Sequence, residues 1–321
     1  MITIAYLTNR RNPQIEWFFD SLHNECGGNY DGIKILVIDY WAQEDGRDWS
    51  AKAVKARRDV FKKAAHCEIL HIPPKPSVWQ GAHRLAKINY FAASNTRNTA
   101  LCHAEDGYIC FVDDLAVLLP GWLAEVRNAI TNNWIALGAY SKVLNLDVRG
   151  GAVHNYVYHP HGRDSRLDHV QGENPHIAGG SWCYGCSLAI PVEALLKING
   201  FDEDCDSMGF EDVICGIMLQ RNGNAMMYCP RMRTLESEEL HFVEKPFARI
   251  IKKLVPESTY PDASHAILDW VLKGRRVMAP NYQNMRELRQ HVLGGGEFPI
   301  LQIPEHDWRD KELIREMDRT R

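Results

Sequence analysis

The 321-residue sequence predicts an α/β fold: a mostly parallel sheet flanked by helices, with a helical C-terminal extension. Three observations predict it. Short apolar runs alternate with stretches of helical length over the first two-thirds of the chain, the order that builds a parallel sheet with crossover helices. One apolar run ends abruptly in two carboxylates, Asp113 and Asp114, and open α/β sheets bind ligands outside the carboxyl ends of their strands. After Pro246 the alternation stops, and helical stretches lead to Gly294-Gly295-Gly296 and a charged tail.

Taken in order, strands are expected at Ile2 to Leu7, Ile33 to Asp39, Glu68 to Ile72, Tyr108 to Val112, Ile135 to Tyr140 and Cys186 to Ile190. Between them Pro13 to Cys26, Ala51 to Ala65, Phe91 to Ala104 and Gly121 to Asn132 have helical length and spacing. Pro13 and Ser50 suit helix starts. Asn145 to Ala178 is rich in Gly, Asp, Asn and His and shows neither period. It is expected to be a long irregular loop on the acceptor side of a site, since loops of that length usually carry function or are disordered. Arg249 to Leu254, Ala263 to Lys273 and Asn284 to Leu293 read as helices, which divides the chain into 1–245 and an extension, 246–321.

With 45% hydrophobic and 24% charged residues, the composition is that of an ordinary globular protein. A chain of this length buries roughly 75% of its unfolded surface, enough for a core without disulfides. Apolar runs such as Ile35 to Ile38 fall far short of the roughly 20 residues a membrane helix needs, so no membrane span is expected. The start, Met1 to Leu7, reads as a strand and lacks the basic opening and cleavage signal of a secretory leader. Nine cysteines, an odd number, read as reduced thiols. Together these point to the cytoplasm. A net charge of −4 gives no global attraction to nucleic acid. Lys52, Lys55, Arg57, Arg58, Lys62 and Lys63 nevertheless crowd one helix against Asp59 alone.

Three constellations carry chemistry. Asp113 and Asp114 suit a hard divalent ion, Mg²⁺ or Mn²⁺, which takes oxygen ligands and bridges phosphates; the alternative is a turn that merely ends the strand. Glu211 and Asp212 follow Gly209-Phe210 and open a helix whose dipole favours their charged form and keeps them ready to accept a proton; first-turn acids also occur simply as stabilisers. His241 follows the acidic stretch Leu235 to Leu240 and is either a metal ligand or a partly buried His. Trp182-Cys183-Tyr184-Gly185-Cys186 has a Cys-x-x-Cys spacing but no second pair to complete a zinc site. Its thiols read as packing, and Trp182 with Tyr184 as an acceptor platform.

In this order the segments resemble the GT-A nucleotide-sugar glycosyltransferases, most closely family 2 and galactosyltransferase-like members, over about residues 1–245. The resemblance rests on Ile4 to Arg10, Leu36 to Asp39, Ser94 to Ala100, and Phe111 to Asp114 with Leu118 to Leu123. Gly185 to Ile190, Lys197 to Glu203 and Gly209 to Asp212 complete it. It implies a hexosyltransferase-like enzyme using a nucleotide-diphosphate sugar, with a leaning to UDP, and an acceptor hydroxyl on a glycan, small molecule or modified nucleic acid. Thr8, Arg10 and Asp39 would line the nucleotide pocket, Asp39 reading the base, and Arg97 would help at the diphosphate. Asp113 and Asp114 would occupy the acidic metal motif, His241 would complete the metal shell, and Trp182 would face the sugar. Asp212 would be the general base of an inverting displacement, and Glu211 would bind acceptor or donor sugar.

One departure stands out. The family motif is Asp, any residue, Asp, and anchored on Pro120-Gly121-Trp122-Leu123 its second Asp falls on Leu115. Asp114 then replaces it in a shifted register, or the site is metal-poor, or cations such as Arg97 neutralise the diphosphate; the shifted register is the expectation. Two rivals stand beside the transferase: a binding protein of the same fold without turnover, and a transferase on nucleic acid that uses the basic helix.

Overall fold

A computed structural model describes residues 1–42, 48–64, 66–81, 84, 91–206, 209–243 and 263–301, with the backbone alone at 48–54, 242–243 and 263–264. The six strands expected from the apolar runs all form in one sheet, the last two at Ile135 to Tyr140 and Cys186 to Ile190, and the first four lie parallel. These are β1 (Ile2–Thr8), β2 (Ile33–Asp39), β3 (Glu68–Ile72) and β4 (Tyr108–Asp113). Both faces of β1 and β2 are buried, which is why these strands read as continuous apolar runs and not as alternation. Five further strands extend the sheet along its path or off it: β5 (Ala116–Leu118), β6 (Ile135–Arg149), β7 (Ala152–Tyr158), β8 (His176–Ile177) and β9 (Ser187–Pro191). The last is β10 (Met226–Ser237).

The strand order is β3-β2-β1-β4-β9-β6-β10-β5, with β7 on β6 and β8 on β10. β9 runs antiparallel to both β4 and β6, so the sheet is mixed past β4. The helices are α1 (Ile15–Cys26), α2 (Asp48–Phe61), α3 (Ala93–His103), α4 (Trp122–Asn132), α5 (Val192–Lys197) and α6 (Glu211–Arg221). After β10 come α7 (Glu238–Val243), α8 (Ala263–Leu272) and α9 (Met285–Leu293). The helix expected at Arg249 to Leu254 lies outside the described residues.

Alternate residues of each strand feed two cores. Ile4 and Tyr6 of β1 pack with Phe18 and Phe19 of α1 and with Trp122 and Val126 of α4. Ala5 and Leu7 face the other cluster, with Leu101 of α3, Ile214 and Met218 of α6, Ile267 of α8, and Met285 and Leu288 of α9. The described part of the extension, 263–301, therefore shares a core with the sheet.

The segment expected to be irregular between Asn145 and Ala178 is partly regular. Asn145 to Arg149 continues β6, and β7 returns beside it through Gly150-Gly151. The turn is tied to α1: Asn24 Nδ2 donates to Gly150 O at 2.8 Å. A Cβ on Gly151, at φ +76°, would lie 2.3 Å from the Asp20 carbonyl carbon. The alternation in Ala152 to Tyr158 is weak because no residue of β7 is fully buried, so neither face selects strongly for apolar side chains.

β10 was not expected either, because Pro230, Arg231 and Arg233 interrupt its apolar pattern. The strand accommodates Pro230 at a register shift between Cys229 and Thr234.

Candidate active site

Parallel register aligns the carboxyl ends of β1 and β4, pairing Leu7 with Asp113, so Thr8, Asn9 and Arg10 emerge beside Asp113 and Asp114. Across the sheet β6 and β10 pair Tyr140 with Thr234 and Lys142 with Glu236. A cleft of about 200 Å³ opens between them. Thr8, Arg10, Arg97, Asp113, Asp114, Tyr140, Lys142, Glu211, Glu236 and His241 are among its lining residues.

Arg97 comes from the first turns of α3, a helix buried from Ser94 to Cys102 despite its polar sequence. Most of its polar side chains find partners in neighbouring segments, though Asn95 Oδ1 and Arg97 Nε have no hydrogen-bond partner among the described residues. Asn95 donates to Lys75 O and Gln80 Oε1, Asn98 donates to Phe201 O and Glu203 Oε1, and the Ser94 amide donates to Asp206 at 2.7 Å. Arg97 donates through Nη1 to Glu211 Oε1 at 2.8 Å and lies 3.5 Å from Asp113 Oδ1. Burial alone would lower its pKa, but Asp113, Glu211 and Asp212 hold it above its ordinary value. Gly185 makes room for it, since a Cβ there would sit 2.0 Å from Arg97 Nη2.

Asp113, Asp114 and Asp212 resist ionisation. Burial pushes Asp113 up to about 6 against the pull of Arg97, with Glu236, Asp114 and Glu211 pushing the same way. Asp212 sits behind Glu211 and accepts the Gly185 amide at 2.9 Å and the Val213 amide at 2.8 Å. Burial and the neighbouring Glu211 raise it to about 6, against the opposing pull of Arg97. Phe210, at φ +64° before the helix, turns the chain so that Glu211 points into the cleft.

Not every expected residue reaches this place. Asp39 is fully buried and outside the cleft lining; Arg57 Nε lies 2.6 Å away, His71 Nε2 2.8 Å, and the Trp41 amide donates to it at 2.9 Å. Its carboxylate is thus committed to neighbours within the protein, because the end of β2 is roofed by the Tyr40 to Ala42 turn and α2. Trp182 is likewise outside the lining and packs edge-on against Tyr228 at 5.4 Å. Arg166 holds that region, donating to Trp182 O and lying over the Tyr184 ring at 4.2 Å.

The expected metal ligands Asp113, Asp114 and His241 all line the cleft but do not converge. Asp114 Oδ1 accepts from Arg10 Nε at 3.0 Å and Oδ2 from Thr8 Oγ1 at 2.8 Å. His241 Nδ1 lies 3.0 Å from Arg10 Nη2 and 3.1 Å from Glu236 Oε1. Leu115, where the family motif has its second Asp, is fully buried at φ +59°. Its amide donates to Pro13 O and its carbonyl accepts from Ser237. Among the described residues no group of three or more His, Cys, Asp or Glu side chains is placed to hold a metal ion. As arranged, the residues do not fit the expected ion.

Sequence reasoning missed Glu236, Lys142 and Tyr140. The acidic run before His241 was the available signal, and strand alternation from Met232 would have aimed Glu236 at the cleft.

No protein-family model and no curated protein matches the sequence. Solved structures do. The mannosyltransferase PcManGT from Pyrobaculum calidifontis, in complex with GDP-Man and Mn²⁺, aligns with a TM-score of 0.52 at 17% identity, over 91% of this chain and 69% of that one. TarS 1-349 from S. aureus in complex with UDP-GlcNAc gives 0.53 at 12% identity, over 91% and 71%. GalNAc-T7 with UDP, GalNAc and Mn²⁺ gives 0.53 at 10% identity, over 92% and 54%. A further TarS 1-349 structure scores 0.48, at 13% identity, and this chain covers 60% of it with 74% of its own length. At such identities the likeness speaks for architecture, and the chain has the GT-A fold of the nucleotide-sugar glycosyltransferases.

Proposed function

We propose that the protein transfers a glycosyl group from a nucleotide-diphosphate sugar, a UDP-sugar first among them, to an acceptor hydroxyl with inversion. The observation that carries this reading is the shared cleft. Asp113 and Asp114 from the end of β4 and Glu211 from the start of α6 line one opening; Asp212, next in the chain, is outside that lining and accepts the Gly185 and Val213 amides. A cleft with Arg10, Arg97 and Lys142 among such acids can receive a diphosphate and hold a base nearby. Two of the aligned structures above hold UDP or UDP-GlcNAc, and PcManGT holds GDP-Man.

Thr8 and Arg10 line the nucleotide end in this reading, and Arg97 and Lys142 balance charge on the diphosphate. Asp212 accepts the proton of the acceptor hydroxyl as its oxygen attacks the anomeric carbon. The bond from that carbon to the diphosphate oxygen breaks, and its electron pair leaves on the diphosphate. Attack from the opposite face inverts the centre. Glu211 orients the sugar, and holding the two reactants together removes much of the entropic barrier. Mn²⁺ is present in the PcManGT and GalNAc-T7 structures, but no step here is routed through an ion, because Arg10 separates Asp114 from His241.

Of the basic stretch, Lys52 lies outside the residues whose side chains are described, and Lys55 and Arg58 are exposed. Arg57 is buried against Asp39, while Lys62 and Lys63 pair with Asp59 and Asp20 at 2.7 Å each.

A thermal-shift panel of nucleotide sugars, followed by product assay with a labelled donor, tests the proposal. Stabilisation by one donor together with its turnover is expected. A donor that binds without transfer or hydrolysis would leave a binding protein, and no shift with any donor would sink the reading.

A further inference from the structure

We infer that Arg10 is the resident cation of the cleft: its guanidinium stands between Asp114 and His241, where a divalent ion joining them would stand, and it makes diphosphate binding independent of Mn²⁺ and Mg²⁺. The diphosphate part of this inference rests on the transferase reading. The cation part does not.

The geometry is direct. Arg10 Nε donates to Asp114 Oδ1 at 3.0 Å, Nη1 donates to the His241 carbonyl at 3.0 Å, and Nη2 lies 3.0 Å from His241 Nδ1. One planar group thus touches two of the three residues that the family pattern assigns to the ion. A divalent ion needs oxygen ligands at roughly 2.0–2.6 Å. To bind Asp114 it would have to compete with Arg10 on one carboxylate oxygen or with Thr8 on the other.

Displacement is costly because the guanidinium is buried, 6% exposed, and stays charged at any working pH. Leaving it beside a divalent ion would set like charges a few ångströms apart in a site of low dielectric. Leu115 removes the other carboxylate that would have competed, since it turns an apolar side chain into the core. An apolar residue thus stands where the motif has its second acid, and Arg10 takes up Asp114. Guanidinium groups suit phosphate oxygens through paired N–H donors, so Arg10 can supply the charge that an ion would bring, without its Lewis acidity.

The test titrates Mn²⁺ alone into wild-type protein, Arg10→Ala, Arg10→Gln and Asp114→Asn, following free Mn²⁺ by electron paramagnetic resonance. It is paired with UDP-sugar thermal shifts in EDTA and in Mn²⁺. Wild-type protein should show no saturable site tighter than about 1 mM. Removal of the guanidinium, with the fold verified by circular dichroism, should create a site about tenfold tighter or more, abolished again by adding Asp114→Asn. If Arg10→Ala does not fold, Arg10→Gln carries the same expectation with less change in shape.

The wild-type donor shift should be equal in EDTA and Mn²⁺, and in EDTA both Arg10 variants should lose it. Saturable Mn²⁺ binding by the wild type that Asp114→Asn removes, no gain of Mn²⁺ binding in a folded Arg10 variant, or a donor shift lost in EDTA would each overturn the inference. If no nucleotide shifts the protein in either buffer, the transferase reading fails, while the Mn²⁺ titration still decides the role of Arg10.

Discussion

Arg97 and Asp212 face each other's charge across the first turn of α6, and their behaviour sets what the cleft can do. Asp212 is raised to about 6, so it ionises in the range where a base both holds a proton loosely and is free to take one. On the proposed mechanism kcat/KM falls as pH drops through about 6, because the protonated acid cannot accept the hydroxyl proton. Asp212→Asn should lower kcat by roughly 10²–10⁴ while changing donor affinity little, a split that steady-state kinetics and calorimetry read separately. Gly185 gives a second prediction. A methyl group 2.0 Å from Arg97 Nη2 forces that guanidinium off Glu211. Gly185→Ala should therefore cost about 1–3 kcal/mol of stability, seen as a lower Tm, and weaken donor binding with it.

At the scale of elements, β1 to β4, the first half of β6 and β9 were legible, while β5, β7, β8 and β10 were not. β1, β2 and β4 are buried on both faces and read as apolar runs, whereas β3 is only half-buried; the helix expected at Gly121 to Asn132 begins at Trp122, within one residue. β10 crosses the sheet with Pro230 and two arginines inside it, and neighbours on either side override its local preference. A relay of side-chain hydrogen bonds also anchors β10: Trp122 Nε1 of α4 donates to Ser187 Oγ of β9 at 3.0 Å, and Ser187 Oγ donates to Met232 O at 2.9 Å. Helix α9 shows the reverse case, a boundary written locally. Asn284 Oδ1 accepts the Arg286 and Glu287 amides at 3.0 and 3.2 Å. Asn284→Ala should cost about 1 kcal/mol, measurable by urea denaturation, and leave the cleft intact.

For the whole molecule the extension is bound to the site by charge as well as by core packing. Arg276 reaches Asp202 at 2.6 Å and Asp204 at 3.2 Å, in the loop that leads to α6. Asn281 donates to Asn199 O and Phe201 O. Arg276→Met strands Asp202, which is fully buried, and should cost about 3 kcal/mol, lowering Tm by several degrees. The global pH response follows from the same chemistry. Asp202 and Asp212 are both raised to about 6, above the 3.8 of an ordinary Asp. Between those values the folded chain holds protons that the unfolded chain releases, so their contribution is full below 3.8 and is lost as pH rises through 6. Asp212→Asn should flatten Tm against pH in that window; an unchanged slope would mean that Asp212 ionises normally.

No helix among the described residues is long and apolar enough to cross a membrane. The sequence by itself determined the α/β order, the acids that end β4 and open α6, and the positions of the longer helices, because these follow from burial periodicity and from residues whose chemistry is local. It did not determine those of α5 and α7. Only the tertiary structure decided which acids meet. Asp39 went to Arg57 and His71, Trp182 to Tyr228, Asp114 to Arg10, and Glu236 entered the cleft from a strand that local pattern did not reveal. A charge chooses its partner by distance in space, and distance in space is set by strand order and register, which no short stretch of sequence encodes.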